Sequence, residues 1–394
     1  MKLLFVTPFY RPAYVYGGPT RSIPGLCEGL ERQGHTVKVL TTNANGTDKL
    51  DVTPGQEVDV NGVPVTYYDQ STVGGRFFYA PELKRACGRQ APQFDVVYIY
   101  GVWNYPAIAA GSACREKEVP YIVSPRTGFM EWPMQRSWFQ KQIYLQLYGW
   151  RYVQGAWAMH YTTEMEREES RRFGVETPGF VVPNCMNFAE FDELPEQGCF
   201  RSRLGLSDED RLVLFLGRIE PRKGIELSMH ALARVQESVP NVHFAIAGPG
   251  DDEYINSLCQ LSADLGIQET TTFTGYVDSN ERLRALVDAD VFILTSHTEN
   301  FAMAAVEAMA AGTPVLLSDE VGVAPAADEA DAGVSVPLDK DKITEALRQL
   351  LHSASYRRRL ASNGPEHVRS QYSPESVAAR MVEEIQARQH SSAY

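Results

Sequence analysis

The chain has no apolar run approaching the roughly 18 consecutive residues of a membrane-spanning helix, so nothing in it reads as crossing a bilayer. It also lacks an excess of positive charge. Its 37 Lys and Arg stand against 50 Asp and Glu, and a net charge of −13 argues against a nucleic-acid partner, whose phosphates need a basic face. Six cysteines (Cys27, Cys87, Cys114, Cys185, Cys199 and Cys259) show no C-x-x-C spacing. That excludes the usual zinc and redox motifs and leaves reduced, mostly buried thiols in a cytoplasmic protein as the expectation. No low-complexity segment interrupts the chain, and no repeat of roughly 20 to 50 residues is visible. The first apolar run is too short for a signal peptide and reads as a strand.

What is present is the composition of an ordinary globular protein, 44% hydrophobic and 22% charged, and 394 residues suggest two domains. Strand-like and helix-like segments alternate throughout, which predicts α/β domains with parallel sheets covered on both faces. In the first half, strands are expected at residues 3–7, 36–41, 63–68, 96–100, 121–124, 158–162 and 179–182, with helices at 20–33 and 138–154 among those between them. In the second half they are expected at 212–216, 243–247, 271–274, 291–295, 314–318 and 333–336. Residues 187–205, with Pro195 and Gly198, read as the linker into the second domain, and a helix over 374–388 closes the pattern.

Residues 297–314 are the most informative stretch. Glu299 and Glu307 are separated by seven residues, and Glu307 lies in a run of good helix formers that Gly312 and Pro314 stop. The acidic pair therefore brackets a strand-to-helix turn, where free backbone N–H groups favour an anion. If both were helical they would stand roughly 12 Å apart along the axis, too far to share a proton and suited to gripping two parts of one elongated ligand. The neighbours of Glu307 (Val306, Ala308, Met309, Ala310 and Ala311) leave no polar face, so a solvated role does not fit it. A second turn follows the apolar strand at 212–216 and carries Arg218, Arg222 and Lys223 before Gly224. A forked guanidinium and a point charge together suit a diphosphate. A third, Tyr16-Gly17-Gly18-Pro19, follows the first strand at the carboxyl edge of the expected sheet. The triplet Gly248-Pro249-Gly250 lacks the third glycine of a dinucleotide fingerprint, so oxidoreduction is poorly supported.

These turns, with the Glu-x7-Glu spacing, closely resemble the retaining glycosyltransferases of family 4, most densely over residues 215–319. The resemblance implies the GT-B architecture, two Rossmann-like parallel-sheet domains facing across a cleft. An acceptor-binding domain would span residues 1–186 and be joined by a returning helix at 373–394, and a donor-binding domain would span 187–372. It implies a hexosyltransferase that moves a sugar from a nucleotide diphosphate sugar to a glycan, a lipid-linked saccharide or a small acceptor, without metal or other cofactor, as in polysaccharide biosynthesis. Arg218 and Lys223 match the basic pair on the donor diphosphate, with Arg222 the bystander. Glu307 matches the residue that accepts the ribose hydroxyls, and Glu299 the one near the transferred sugar. The backbone N–H groups of Phe301, Ala302 and Met303 would face sugar and phosphate, Gly248 would border the base, and Gly17 and Gly18 would approach the donor. Ala302 stands where most relatives have Gly. A methyl there is tolerable on helical backbone and obstructive at positive φ. No Asp-x-Asp triplet is assigned to a metal.

Where many relatives place a His, this chain has Ser124-Pro125-Arg126-Thr127-Gly128, which resembles a subset of the family with Ser-Pro-Arg-Gly. Arg126 would sit beside the donor sugar or an acceptor phosphate, with Tyr16 and Glu164 as further acceptor contacts. An Arg is no general base near neutral pH, so a donor phosphate oxygen would take the acceptor proton, in a same-face reaction. His160 reads as structural, and Asn184-Cys185 replaces the common Asn-Gly at the linker. The aromatic-basic segment with Trp138, Phe139, Ile143, Tyr144, Leu147, Tyr148, Trp150 and Tyr152 beside Arg136, Lys141 and Arg151 has two readings. One is a packed interdomain helix. The other is a surface on the inner face of a membrane, facing a lipid-linked acceptor. Two other functions stay open, a sugar-nucleotide epimerase of the same fold and an inactive sugar-nucleotide-binding protein.

Overall fold

The computed structural model describes residues 1–71, 75–135 and 137–391, with two side chains (residues 76 and 391) left aside. Arg136 of the aromatic-basic segment lies outside the described residues. The chain divides into two compact units: unit 1 takes Met1–Asn187 and the segment from Tyr372 onwards, and unit 2 takes Phe188–Gln371.

The described residues of unit 1 form ten strands: β1 (Lys2–Val6), β2 (Thr36–Thr42), β3 (Ala44–Asn45), β4 (Asp48–Lys49), β5 (Glu57–Val60), β6 (Val63–Tyr68), β7 (Val96–Tyr100), β8 (Tyr121–Ser124), β9 (Ala158–Tyr161) and β10 (Gly179–Val181). Eight form one sheet in the order β10-β9-β8-β7-β1-β2-β6-β5. Pairing is parallel except at the β5 edge, which runs antiparallel to β6. All five residues of β7 are buried, as a central strand covered on both faces requires. The helix Pro19–Arg32 sets Ile23, Leu26, Cys27 and Leu30 into one face of this core. The returning helix Pro374–Ser391 adds Val377, Ala378, Met381 and Ile385 to the same core. Burying a side chain such as Met381 or Ile385 contributes about 1.5–3 kcal/mol. The two helices approach closely at Gly29, where a β-carbon would lie 2.3 Å from the Pro374 carbonyl oxygen.

Unit 2 has six strands, β11 (Arg211–Leu216), β12 (Val242–Ala247), β13 (Thr271–Gly275), β14 (Val291–Leu294), β15 (Val315–Ser318) and β16 (Gly333–Val336), all parallel, in the order β13-β12-β11-β14-β15-β16. The order runs outward in one direction from β11 and in the other from β14. The loops that leave these two strands therefore diverge and open a crevice at the carboxyl edge, where doubly wound sheets bind ligands.

The segment expected as one helix over 138–154 is helix Trp138–Tyr144, a π turn Leu145–Gly149 and helix Trp150–Val153. Gly149 sits in that wider turn, where a β-carbon would come within 2.7 Å of Leu145 Cδ2.

Candidate active site

The two loops at the unit 2 crevice are built around one another. β11 ends at Leu216, and a short turn Pro221–Lys223 leads through Gly224 into the helix Ile225–Gln236. Gly224 has φ 61°, and a β-carbon there would lie 2.1 Å from the carbonyl oxygen of Thr295, just after β14. Only glycine fits on both counts. Thr295 Oγ1 donates to the Gly224 carbonyl at 2.7 Å, and His297 N–H donates to the Arg222 carbonyl at 2.9 Å. The first loop is also tied to β12, since Ile219 N–H donates to the Pro249 carbonyl at 2.8 Å. Gly248, at φ 141°, passes so close to Gly217 that a β-carbon would meet its carbonyl oxygen at 1.8 Å.

This bracing brings Lys223 and Glu299 into an ion pair, with both side chains mostly buried. Arg222 Nη1 stands 3.8 Å from the same carboxylate, and its Nη2 pairs with Glu220 at 2.8 Å. Burial works to raise the Glu299 pKa. The charges of Lys223 and Arg222, the Lys223 hydrogen bond and the Ala302 N–H outweigh it and hold the carboxyl below its ordinary value. The Glu299 backbone is fixed as well. Its N–H donates to the Glu320 carbonyl at 2.9 Å, and its carbonyl accepts from Gly322 at 2.8 Å. Arg222, expected as the bystander to the diphosphate, thus takes part in the charged cluster. Arg218, expected beside Lys223, is exposed on its loop and makes no ion pair among the described residues.

Glu307 lies apart from this cluster, in the helix Met303–Ala310, which no side chain caps. Its carboxylate pairs with Arg282 at 2.8 Å, and Arg282 pairs in turn with Glu190 at 2.6 Å. Phe301 and Ala302 are buried at the start of that helix. Ala302 has φ 66° and ψ 68°, so the obstructive alternative holds. A non-glycine residue in this left-handed region carries about 1–2 kcal/mol of strain.

The chain contains three Asp-x-Asp triplets, at 208–210, 288–290 and 339–341, and the carboxylates of Asp210, Asp288, Asp290, Asp339 and Asp341 are engaged in building unit 2. Asp210 accepts from Ser207 N–H at 2.7 Å. Asp288 accepts the N–H groups of Gly198 and Phe200, each at 2.6 Å. Asp290 pairs with Arg201 at 2.5 Å and Arg357 at 3.1 Å. Asp339 caps a helix that Asp341 ties to Arg234.

In unit 1, Arg126 has φ 51° and leaves β8 at the carboxyl edge. It hydrogen-bonds Asn184 Oδ1, donates to the Tyr98 hydroxyl at 3.2 Å and lies 5.2 Å from the Tyr100 ring centroid. Its Nε is buried with no hydrogen-bond partner among the described residues. Tyr100 also faces Phe9 (6.1 Å), on which Tyr16 stacks at 4.3 Å, so a row of rings joins the Gly17-Gly18 loop to Arg126. Glu164 is exposed and pairs with its neighbour Arg167. The acid that shapes this loop is Glu166, which sequence reasoning missed. Fully buried, it accepts Thr127 N–H and Thr162 N–H at 2.7 Å each and the Thr162 hydroxyl at 2.9 Å. Its only signal in the sequence is a Thr-Thr pair just ahead of an acidic helix start.

His160 is buried beneath Arg126. Its Nε2 faces the Val182 carbonyl at 2.7 Å and must carry the proton, so Nδ1 accepts from the Tyr98 hydroxyl at 2.7 Å. Burial first, and then the Arg126 charge, lower its pKa to about 3, against a smaller upward pull from the Val182 contact. The unfolded chain, near 6.5, then binds a proton that the folded chain refuses. Stability is therefore complete above pH 6.5 and declines by about 1.4 kcal/mol per pH unit as pH falls towards 3. Urea titrations across that range should show a shallower decline for His160→Gln than for the unaltered chain. Parallel declines would contradict the buried neutral imidazole.

Comparison with known proteins bears on both units. The family described as "Glycosyl transferase 4-like domain" matches residues 17–185, and that described as "Glycosyl transferases group 1" matches residues 198–367. An uncharacterized glycosyltransferase of Methanocaldococcus jannaschii is 29% identical over 97% of both chains. A glycogen synthase of Mycobacterium tuberculosis is 27% identical over 96% of this chain and 92% of its own. Among solved structures, a sucrose-phosphate synthase from Thermosynechococcus elongatus superposes with a TM-score of 0.70 at 20% identity, with full coverage of both chains. Anabaena HepE in complex with UDP-glucose does so at 0.69 and 17% identity, over 98% of this chain and 100% of its own.

Proposed function

This chain belongs to the family 4-like glycosyltransferases of GT-B fold, and on that premise we propose that it is a retaining, metal-independent enzyme that takes its sugar from a nucleotide diphosphate sugar. The observation that carries this reading is the Lys223–Glu299 pair at the point where the unit 2 strand order reverses. Unit 2 is the donor-binding domain, and the UDP-glucose held by the Anabaena protein makes a uridine diphosphate sugar the first donor to test. Lys223 and Arg218 hold the diphosphate, and Glu307 takes the ribose hydroxyls. Glu299 stands near the sugar, whose developing positive charge favours a carboxylate kept ionised. In unit 1, Arg126, held by Asn184 and Tyr98, serves the acceptor side. The bond from sugar C1 to the phosphate oxygen breaks and the acceptor oxygen bonds to C1 on the same face. The acceptor proton passes to the departing phosphate, so no protein base is needed.

The acceptor is a hydroxyl of a glycan, a lipid-linked saccharide or a small molecule. No helix among the described residues is long and apolar enough to cross a membrane, and the exposed aromatic face of unit 1 supports a peripheral position at a membrane surface. The comparisons give the epimerase reading no support.

Nucleotide release, measured with and without acceptor, tests the donor assignment, and NMR of the product anomer tests the stereochemistry. A product of opposite anomeric configuration to the donor would overturn the retaining mechanism. Transfer should survive EDTA, because built-in cations offset the leaving charge. Loss on chelation with recovery in Mg²⁺ or Mn²⁺ would refute metal independence.

A further inference from the structure

A surface groove of about 390 Å³ lies in unit 1 between the helix Tyr105–Lys117 and the segment that holds the π turn. Ile108, Leu147 and Tyr148 give it an apolar wall, and Arg115 and Arg151 stand in its lining. Neither guanidinium has an ion-pair partner among the described residues. Glu116, the one acid in the lining, is already paired with Lys117 at 3.0 Å. Two unpaired cations beside an apolar wall fit a ligand with an anionic head and an apolar body.

The surroundings say where that body lies. Trp138, Phe139, Ile143 and Leu147 are 53%, 74%, 46% and 57% exposed, an apolar stripe left uncovered by the described residues. Phe139, Ile143, Leu147 and Arg151 recur every four residues. That spacing drifts on an α-helix of 3.6 residues per turn, and the wider π turn offsets the drift. In a chain of net charge −13, residues 132–163 contain no Asp or Glu. An aromatic, acid-free, basic stretch with its apolar side chains turned to solvent has the chemistry of an interfacial helix.

We propose that this groove binds the phosphate of an anionic lipid headgroup at a membrane surface, with Arg115 and Arg151 on the phosphate and the Phe139–Ile143–Leu147 stripe in the acyl boundary. The proposal rests on the reading of that stripe as a membrane face and adds a headgroup site to it. Its lining residues all belong to unit 1 and the donor crevice is built from unit 2, so the groove anchors the enzyme without entering the reaction.

Cosedimentation of the full chain with vesicles tests it. Vesicles of phosphatidylcholine containing phosphatidylglycerol should bind the chain, and phosphatidylcholine alone should bind it far less. Arg115→Gln with Arg151→Gln should weaken binding roughly 30-fold, since each cation near an anionic surface contributes about a factor of five. Ile143→Ser with Leu147→Ser should weaken it too, while nucleotide release without vesicles stays unchanged in both double variants. Equal binding to the two vesicle types would overturn the headgroup site and leave the membrane face standing. No binding to either would overturn both. Displacement by inorganic phosphate alone would show a free-anion site and overturn the lipid assignment. Loss of nucleotide release from a double variant with unchanged melting would place the groove in the reaction and overturn its separateness.

Discussion

Lys223→Ala is expected to lower kcat/KM by about 10² or more, because the charge-assisted contact it removes strengthens as the leaving phosphate becomes more negative. Arg218→Ala should have a similar effect, although Arg218 holds no ion pair in this state and would commit itself only when the diphosphate is present. The structure adds a consequence peculiar to Lys223. It is the closest cation to the mostly buried Glu299 carboxylate, with Arg222 at 3.8 Å too far to replace it. Without Lys223, burial is opposed only by Arg222 and the Ala302 N–H, and the Glu299 carboxyl rises. The acid limb of the rate profile should then move to higher pH in Lys223→Ala and stay in place in Arg218→Ala. Glu299→Gln should lower kcat more than it raises KM. Full turnover in Lys223→Ala, or an unmoved acid limb, would remove the pair from the reaction.

Glu307→Gln is expected to raise donor KM about 10-fold, the worth of a hydrogen bond to a charged group. Its contact with Arg282 complicates the measurement in a useful way. Removing one charge from a buried pair is destabilising, but Arg282 keeps Glu190, so the loss should stay near 1–3 kcal/mol and below that for a lone pair. A purely structural Glu307 would show the stability loss with donor KM unchanged. Calorimetry of donor binding beside a thermal melt of the same variant separates the two.

Where the sequence is periodic, it is legible. The apolar runs at residues 212–216 and 291–295, each bounded by a turn, read as strands covered on both faces, and the turns after them carry Lys223 and Glu299. The place of the crevice and the charged residues at it follow from one dimension. The place of Arg222 in the cluster is not legible, because a solvated turn and a braced one have the same composition, and the bracing rests on backbone contacts of Ile219, Arg222 and Gly224 with distant loops. Glu166 was missed because an acid in a helix start is normally solvated. Its burial comes from two loops closing over it. The edge strand β5 has just one partially covered residue, so it carries no alternation to read. The π turn depends on Gly149 packing against Leu145, a contact invisible in a helical pattern. For Ala302 the sequence could pose the question of φ but not answer it.

The helix Pro374–Ser391 has a consequence for the order in which the molecule comes into being. Residues that follow unit 2 in the chain complete the unit that precedes it, so all of unit 2 leaves the ribosome ahead of them. Unit 2 can therefore close its core during translation. Unit 1 waits with the apolar faces of Ile23, Leu26 and Leu30 incompletely covered until Val377, Ala378, Met381 and Ile385 have been made. A nonsense codon or a proteolytic nick near residue 372 would spare the unit it lies next to in sequence and undo the one at the other end.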